Sequence, residues 1–341
     1  MNEFPLIEVA GSPFQMGYQH GKQAEALIRK YLAWIVKFTG LDLNVLRPNA
    51  MRFLPYIQRL SPAYVQEIHG LAEGARISLP DAVLCQARAE ASKRWEGGCT
   101  AFALTRAATA NSGAIAGQNQ DLELEYADVA IVLRVRPNDG RPAAVMFTFA
   151  GQLGYAGMNE FGVCNFVNAL YNYEWKPGLP YYPLRRALLE QRTVEDCVKV
   201  LRQNHACSAV NVVMADGNGN VADVESRPEG IVLYQDRNPS ARLHTNHYLT
   251  KDFAAFEDGT LPDSVPRLER ARELVRRSWG KVTVDTMKSL MADHEGGAGA
   301  ICRHGAANLH SIAGYIAEPD KGLFHVRRGR GCDGTWKTYR V

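Results

Sequence analysis

No apolar run in this 341-residue chain approaches the ~20 residues that a membrane-spanning helix needs. Its opening, Met1-Asn2-Glu3-Phe4-Pro5-Leu6-Ile7-Glu8, lacks the basic start, apolar stretch and small-residue cleavage site of a secretory signal. Charge of one sign is scarce too: 39 Lys and Arg face 36 Asp and Glu, and the one local cluster, Arg327-Arg328-Gly329-Arg330, is too short to argue a nucleic-acid surface. The seven cysteines are odd in number and include no C-x-x-C pair, so a reducing cytoplasm is the expected location. Six of them are expected to be small buried hydrophobes. H-E-x-x-H and H-x-H are missing, and Gly296-Gly297-Ala298-Gly299 lacks the lysine and hydroxyl residue of a phosphate loop, so neither a metal nor a cofactor is expected. No repeat, low-complexity tract or Pro/Gly-rich linker divides the chain. With 46% hydrophobic residues, it has apolar material for a sizeable core.

The first part of the chain is helical in pattern. Ala24, Leu27, Tyr31, Leu32, Trp34 and Ile35 recur at helix spacing, as do Tyr64, Ile68, Leu71 and Ala72 behind a Ser61-Pro62 start. A third helix is expected from about Leu79 to Ser92. After Gly97-Gly98 the pattern changes to short apolar runs at 101–104, 114–117, 129–135 and 143–149, which predict antiparallel strands. A helical interval at about 182–204 leads to strands at 210–215, 221–225 and 230–234, then helices at 265–279 and 284–292, and strands near 310–317, 322–326 and 335–341. Runs of strands, then helices, then strands predict an α+β class: two antiparallel sheets with helices outside them.

Gly97-Gly98-Cys99-Thr100 carries the most specific chemistry. Two glycines before a thiol allow backbone conformations that a Cβ would forbid, so the Gly98 carbonyl can bend toward the sulfur. Attack would give a thioester, and its hydrolysis a new chain start at Cys99. There, nucleophile and base belong to one residue, because a free α-amino group titrates at roughly 7.7–8.0. The tetrapeptide alone also fits an apolar residue after a tight turn. His244, His247, His304 and His310 could in principle gather a metal, which leaves metal-assisted hydrolysis as a rival reading.

Several segments match one family in order: Gly11-Ser12-Pro13-Phe14-Gln15-Met16-Gly17-Tyr18-Gln19-His20-Gly21, Gly98-Cys99-Thr100-Ala101-Phe102, Gly117-Gln118-Asn119-Gln120-Asp121, Met158-Asn159-Glu160-Phe161-Gly162-Val163, Asn168-Ala169-Leu170, His244-Thr245-Asn246-His247 and Ile301-Cys302-Arg303-His304. On these, the chain resembles the acyl-coenzyme A:6-aminopenicillanic acid acyltransferase family, autoproteolytic enzymes of peptidase family C45 in the N-terminal nucleophile hydrolase superfamily. The resemblance implies an αββα sandwich, in which residues 1–98 form a helical pro-segment and 99–341 the catalytic core of one folded unit. It implies self-cleavage between Gly98 and Cys99 and then attack by Cys99 on a small N-acyl amide or acyl thioester. The acyl group would pass to water or to an amine, and the two chains would stay associated. Asp121 would orient the α-amino group, Asn246 would serve the oxyanion, Arg303 would compensate charge, and Asn119, Asn168 and Phe102 would line the substrate site. Gln118 stands where related bile-acid hydrolases carry arginine. A non-catalytic binding relative is the alternative from another class, and the joint presence of Cys99, Asp121, Asn246 and Arg303 argues against it.

Overall fold

The structure is a computed structural model that describes every residue except 1–2, 95–96, 111–112, 172–174, 237, 260 and 306–307, and the side chain of residue 298. In chain order the strands are β1 (Leu6–Gly11), β2 (Gly98–Leu104), β3 (Ile115–Leu122), β4 (Ala130–Pro137), β5 (Ala144–Phe149), β6 (Ala156–Asn159), β7 (Cys164–Ala169), β8 (Val210–Ala215), β9 (Val221–Arg227), β10 (Gly230–Leu233), β11 (Ala241–His244), β12 (His310–Glu318), β13 (Leu323–Arg328) and β14 (Thr335–Arg340). The helices are α1 (Pro13–Thr39), α2 (Leu43–Met51), α3 (Leu54–Leu60), α4 (Pro62–Ala75), α5 (Leu79–Gln86), α6 (Arg88–Ser92), α7 (Tyr181–Leu188), α8 (Val194–Gln203), α9 (Lys251–Ala254), α10 (Ser264–Arg277) and α11 (Val284–Met291).

Two sheets result among the described residues, one in the order β1-β4-β5-β6-β7-β8-β9-β10 and one in the order β11-β2-β3-β12-β13-β14. They face each other through β2 against β7 and β8, and β3 against β7. Helices cover both outer surfaces: α1, α7 and α8 lie on the first sheet, and α10 and α11 on the second. The order of layers is therefore helix, sheet, sheet, helix. All pairings are antiparallel except that of β1 with β4. One large apolar cluster fills the inter-sheet space and the α1–α8 side, and a second, built on Phe102, Leu104, Leu268, Ala271 and Met287, lies beneath α10 and α11.

The N-terminal helices are integral to this core. Ser12 caps α1, its hydroxyl accepting the Gln15 N–H while the Gln15 side chain accepts the Ser12 N–H, and Pro13 pre-sets the first turn. Gly17 and Gly21 on α1 meet Gly70 and Gly74 on α4 at backbone distance; a Cβ on Gly17 would stand 1.9 Å from Glu67 O. Two expected helices are broken in two. The 79–92 segment breaks at Ala87, where Gln86 turns its amide to Gly151 O and Leu153 N. The 182–204 segment breaks before Thr193, whose hydroxyl caps α8 by accepting the Asp196 N–H.

His20 on α1 is buried, and its Nε2 accepts the Gly151 N–H at 3.1 Å. Burial, reinforced by the nearby Arg186 charge, lowers its pKa to about 4 from 6.5. Unfolding at intermediate pH therefore takes up a proton, so the stability that the neutral ring contributes is present above pH 6.5 and lost as pH falls through 4. We expect about 3 kcal/mol of acid sensitivity across that window. Urea denaturation at several pH values checks this, and His20→Gln, which keeps an acceptor for Gly151, should remove that share of the slope.

Candidate active site

The β2–β3 register sets Cys99 opposite Gln120, Gly98 opposite Asp121 and Thr100 opposite Asn119. Side chains alternate along a strand, so Cys99 and Gln120 share one face of the sheet while Asp121 and Asn119 share the other. On the inter-sheet face the Gln120 amide N–H lies 3.5 Å from Cys99 Sγ, and Tyr155 OH donates to Gln120 Oε1 at 3.1 Å. A cavity of about 40 Å³ opens there between Cys99, Gln120, Tyr155, Tyr181, Tyr182 and Arg185.

The backbone around Cys99 is held from three sides. Tyr171 OH donates to Gly97 O at 2.7 Å, and Gly97 itself has φ +93°, where a Cβ would also press on Leu122 and Asp121 O. The Cys99 N–H donates to Asn246 Oδ1 at 2.9 Å. β11 ends at His244, and Asn246, two residues beyond it, supplies from its side chain the acceptor that the ladder no longer provides. The Cys99 carbonyl accepts from Arg267 Nη1 at 2.7 Å, and Arg267 Nη2 donates to the same Asn246 Oδ1 at 2.9 Å. Two donors thus converge on Oδ1, while Asn246 Nδ2 donates to Ala169 O at 3.0 Å. Asn246 is thus an acceptor at the Gly98–Cys99 peptide, and the oxyanion role expected of it would fall to Nδ2, which also holds Ala169 O.

Asp121 and Arg303 lie on the other face. Ser311 Oγ donates to Asp121 Oδ1 at 2.6 Å and accepts the Arg303 N–H at 2.9 Å, which ties the two residues together. Asp121 Oδ2 is buried with no hydrogen bond, as are Arg303 Nε and Nη1. Nη1 sits 2.9 Å from where a Cβ on Gly98 would be, so only glycine fits there without pushing the guanidinium away. Asp263 forms ion pairs with both Arg303 and Arg267.

Burial and the neighbouring Asp121 charge push the Cys99 thiol up to about 12, so it is protonated at neutral pH despite Arg267 and Arg185 nearby. Burial also raises Asp121, against Arg303 and Arg267. A thiol in this state needs a base, and a free α-amino group on the same residue would be the nearest one.

Four of the expected site residues, Cys99, Asp121, Asn246 and Arg303, converge on the Gly98–Cys99 peptide. Asn168 lies near: its Nδ2 donates to His244 O at 3.2 Å, bracing the segment that carries Asn246. Asn119 and Phe102 do not line the cavity. Asn119 points to the opposite face, where its amide donates to Met291 O and Ile301 O and accepts from Arg327. Phe102 is packed in the outer core beneath α10 and α11, since an even position on β2 faces away from Cys99. Gln118 binds both the N–H and the carbonyl of Val167 across the sheets, and Arg185, which lines the cavity with Arg88 and Arg94, stacks 4.0 Å from the Tyr155 ring. Cys332, expected to be buried, is exposed. The contribution that sequence reasoning missed is Arg267. Its signal was an arginine one turn ahead of Ala271 and two ahead of Val275, on the buried stripe of α10.

Comparison with known proteins places this arrangement. The family profile described as acyl-coenzyme A:6-aminopenicillanic acid acyl-transferase matches residues 96–329. The chain belongs to this family. The acyl-transferase family match spans the strand that carries Cys99, the Asn246 segment and Arg303. The chain is 28% identical over 309 residues to the acyl-coenzyme A:6-aminopenicillanic-acid-acyltransferase 40 kDa form of Emericella nidulans, covering 87% of this chain and 84% of that protein. It is 22% identical over 332 residues to protein dcd1B of Dictyostelium discoideum, 87% of this chain and 65% of that protein. Among solved structures, penicillin V acylase from Agrobacterium tumefaciens is similar at 16% identity and TM-score 0.48, over 71% of this chain and 86% of that one. A single-residue variant of conjugated bile acid hydrolase from Clostridium perfringens is similar at 14% and 0.48, over 71% and 97%. The family profile and the 28% identical relative both carry the name of an acyltransferase, and this chain is a member of that enzyme family. Among the described residues no helix is long and apolar enough to cross a membrane.

Proposed function

We propose that this chain cuts itself between Gly98 and Cys99 and then uses the freed Cys99 as an N-terminal nucleophile on a small N-acyl amide or acyl thioester. The carrying observation is that the Cys99 backbone is clamped before and after its Cα, the N–H of the Gly98–Cys99 peptide by Asn246 Oδ1 and the carbonyl of the next peptide by Arg267, with the thiol left facing the cavity. In the first step Cys99 Sγ bonds to the Gly98 carbonyl carbon, the C–N bond breaks, and the thiol proton ends on the departing nitrogen. Asn246 Oδ1 is already in place to accept from the resulting amine. Water then opens the thioester, leaving a carboxylate on Gly98.

In the second stage the α-amino group takes the thiol proton, and the thiolate attacks the substrate carbonyl. The amine returns the proton to the leaving group as the acyl-enzyme forms. Asp121 orients and balances the charge on the α-amino group, and Arg303, with Nε and Nη1 unengaged and Nη1 beside Gly98, compensates Asp121 and the developing oxyanion. Acyl transfer to water makes an amidase and to an amine an N-acyltransferase. Both chains remain together around one core, and the reducing cytoplasm that the free cysteines suit is the proposed setting.

Intact mass and N-terminal sequencing of the purified protein test this reading. The expected result is two co-purifying chains, 1–98 and 99–341, the second beginning at Cys99. A well-folded protein that stays in one piece would remove the active N-terminus, and with it the mechanism.

A further inference from the structure

On the side of the second sheet away from Cys99, three segments bring His294, Cys302, His304 and Cys332 together, with their ligand atoms all within 4.8 Å of one another. We propose that these four side chains bind one zinc ion in a closed tetrahedral Cys2His2 site, which fixes the loop that carries Arg303.

The distances are those of a coordination sphere. Two thiolates on tetrahedral zinc, with Zn–S about 2.3 Å, stand about 3.8 Å apart, and a thiolate and an imidazole nitrogen about 3.6 Å apart. Here the Cys302 and Cys332 sulfurs are 3.9 Å apart, and His304 Nε2 is 3.6 Å from the first and 3.5 Å from the second. The two histidine Nε2 atoms are 2.8 Å apart, closer than the roughly 3.3 Å expected across a metal, a gap that a small turn of the exposed His294 ring supplies.

The scaffold is held without help from these side chains. The N–H groups of Ile301 and Cys302 both donate to Asp293 O, at 3.1 and 3.0 Å. Asn119 Nδ2 bonds Met291 O and Ile301 O, and Gly331 packs so closely that a Cβ there would lie 2.1 Å from Met291 O. The segments 291–295, 301–304 and 331–333 are thus in register before any ion arrives. Four ligands with no open position describe a structural rather than a catalytic site. Of the four histidines weighed from the sequence, His304 alone belongs to this set; His244 pairs with Glu225 and His247 with Ser264.

Binding changes the protons as follows. Each thiol releases one proton to solvent, and the two thiolates neutralise the dication. His304 Nδ1 now accepts from Arg330 Nη1 at 2.9 Å, which leaves the ring proton on Nε2. Coordination through Nε2 moves that proton to Nδ1, and Arg330, a half-exposed side chain already paired with Asp333, turns away. The site would anchor Arg303 on both sides, since its two chain neighbours are ligands.

The experiment is zinc content after loading the reduced protein with zinc chloride and dialysing exhaustively, combined with the visible spectrum after loading with cobalt chloride. We expect one zinc per chain and the strong d–d and thiolate charge-transfer bands of tetrahedral cobalt. Cys332→Ser and His294→Ala lie in exposed positions; both should fold, as judged by thermal melts, and retain close to no zinc. A chelator should lower the Tm of the loaded wild type and leave both variants unchanged. The proposal is overturned if the reduced wild type holds no zinc, if both folded variants hold as much as wild type, or if Cys302 and Cys332 are found as a disulfide in the freshly purified protein by a loss of two hydrogens in its mass.

Discussion

Cys99→Ala should yield a single uncut chain with turnover reduced by at least roughly 10⁴-fold, the scale of losing a covalent nucleophile. On the proposed mechanism the sulfur is required twice, once as the atom that attacks Gly98 and once as the atom that attacks substrate, so no residual self-processing should restore activity. Folding should survive. The substitution removes one buried atom in a site whose anchoring bonds run through the Cys99 backbone, to Asn246 and Arg267, and those bonds do not need the thiol. Cys99→Ser keeps an attacking atom but a far less acidic one, so slow cutting and weak turnover are expected. Intact mass over time and an amide-hydrolysis assay read both quantities. Efficient cutting of Cys99→Ala would show that an outside protease opens the chain.

Arg267→Met should affect both stability and processing. The guanidinium is fully buried and donates to Cys99 O, Thr100 Oγ1 and Asn246 Oδ1 while pairing with Asp263. Methionine fills much of the volume, yet leaves three acceptors short of a donor and Asp263 with Arg303 alone. Removing one member of such a buried set typically costs about 3–5 kcal/mol. Because Asn246 Oδ1 loses the donor that fixes it, the Cys99 N–H is positioned less well, and processing should slow by roughly 10²-fold, the scale of a mispositioned reacting group. Arg267→Lys separates the two effects. One ammonium keeps a buried charge near Asp263 but cannot span Cys99 O and Asn246 Oδ1 as a planar fork does. Lysine should recover more of the denaturation midpoint than of the cutting rate; equal recovery of both would make Arg267 a merely structural residue.

The layer order was legible because it rests on short-range pattern, and the residues expected around Cys99 lie close together for the same reason. The change from helix spacing to strand runs at Gly97-Gly98 marks β2, and the cysteine, asparagine and aspartate around it lie within one hairpin. Two placements were missed through parity. Once Cys99 pairs with Gln120, the alternation of the strands sends Asn119 and Phe102 to the far face, but register depends on a turn whose geometry the sequence leaves open. β1 shows alternating burial and was overlooked because it precedes the first helical pattern, while β6, β7 and β11 are short and polar enough to read as loops. Arg267 was hidden by company: α10 also carries Arg270, Arg272, Arg276 and Arg277, and only the fold shows which of them points inward. The His294, Cys302, His304 and Cys332 cluster was out of reach for another reason, since its members come from three segments, the last set apart in the chain from the others by β12 and β13, whose packing the pattern does not show.

The position of the proposed cut within the architecture changes how the molecule can be remade. β1 is hydrogen-bonded along β4, and the glycine-lined contact of α1 with α4 rests on the sheet that residues 130–233 build, so the segment before Gly98 supplies part of the core rather than a detachable cover. The precursor assembles by a first-order process, since every partner is on one chain. The product can regain the same structure only through an encounter between two chains, a second-order process whose yield falls on dilution. Each molecule would then be folded once as a unimolecular event and kept thereafter by its unfolding barrier, so its working lifetime would be set by a rate and not by an equilibrium.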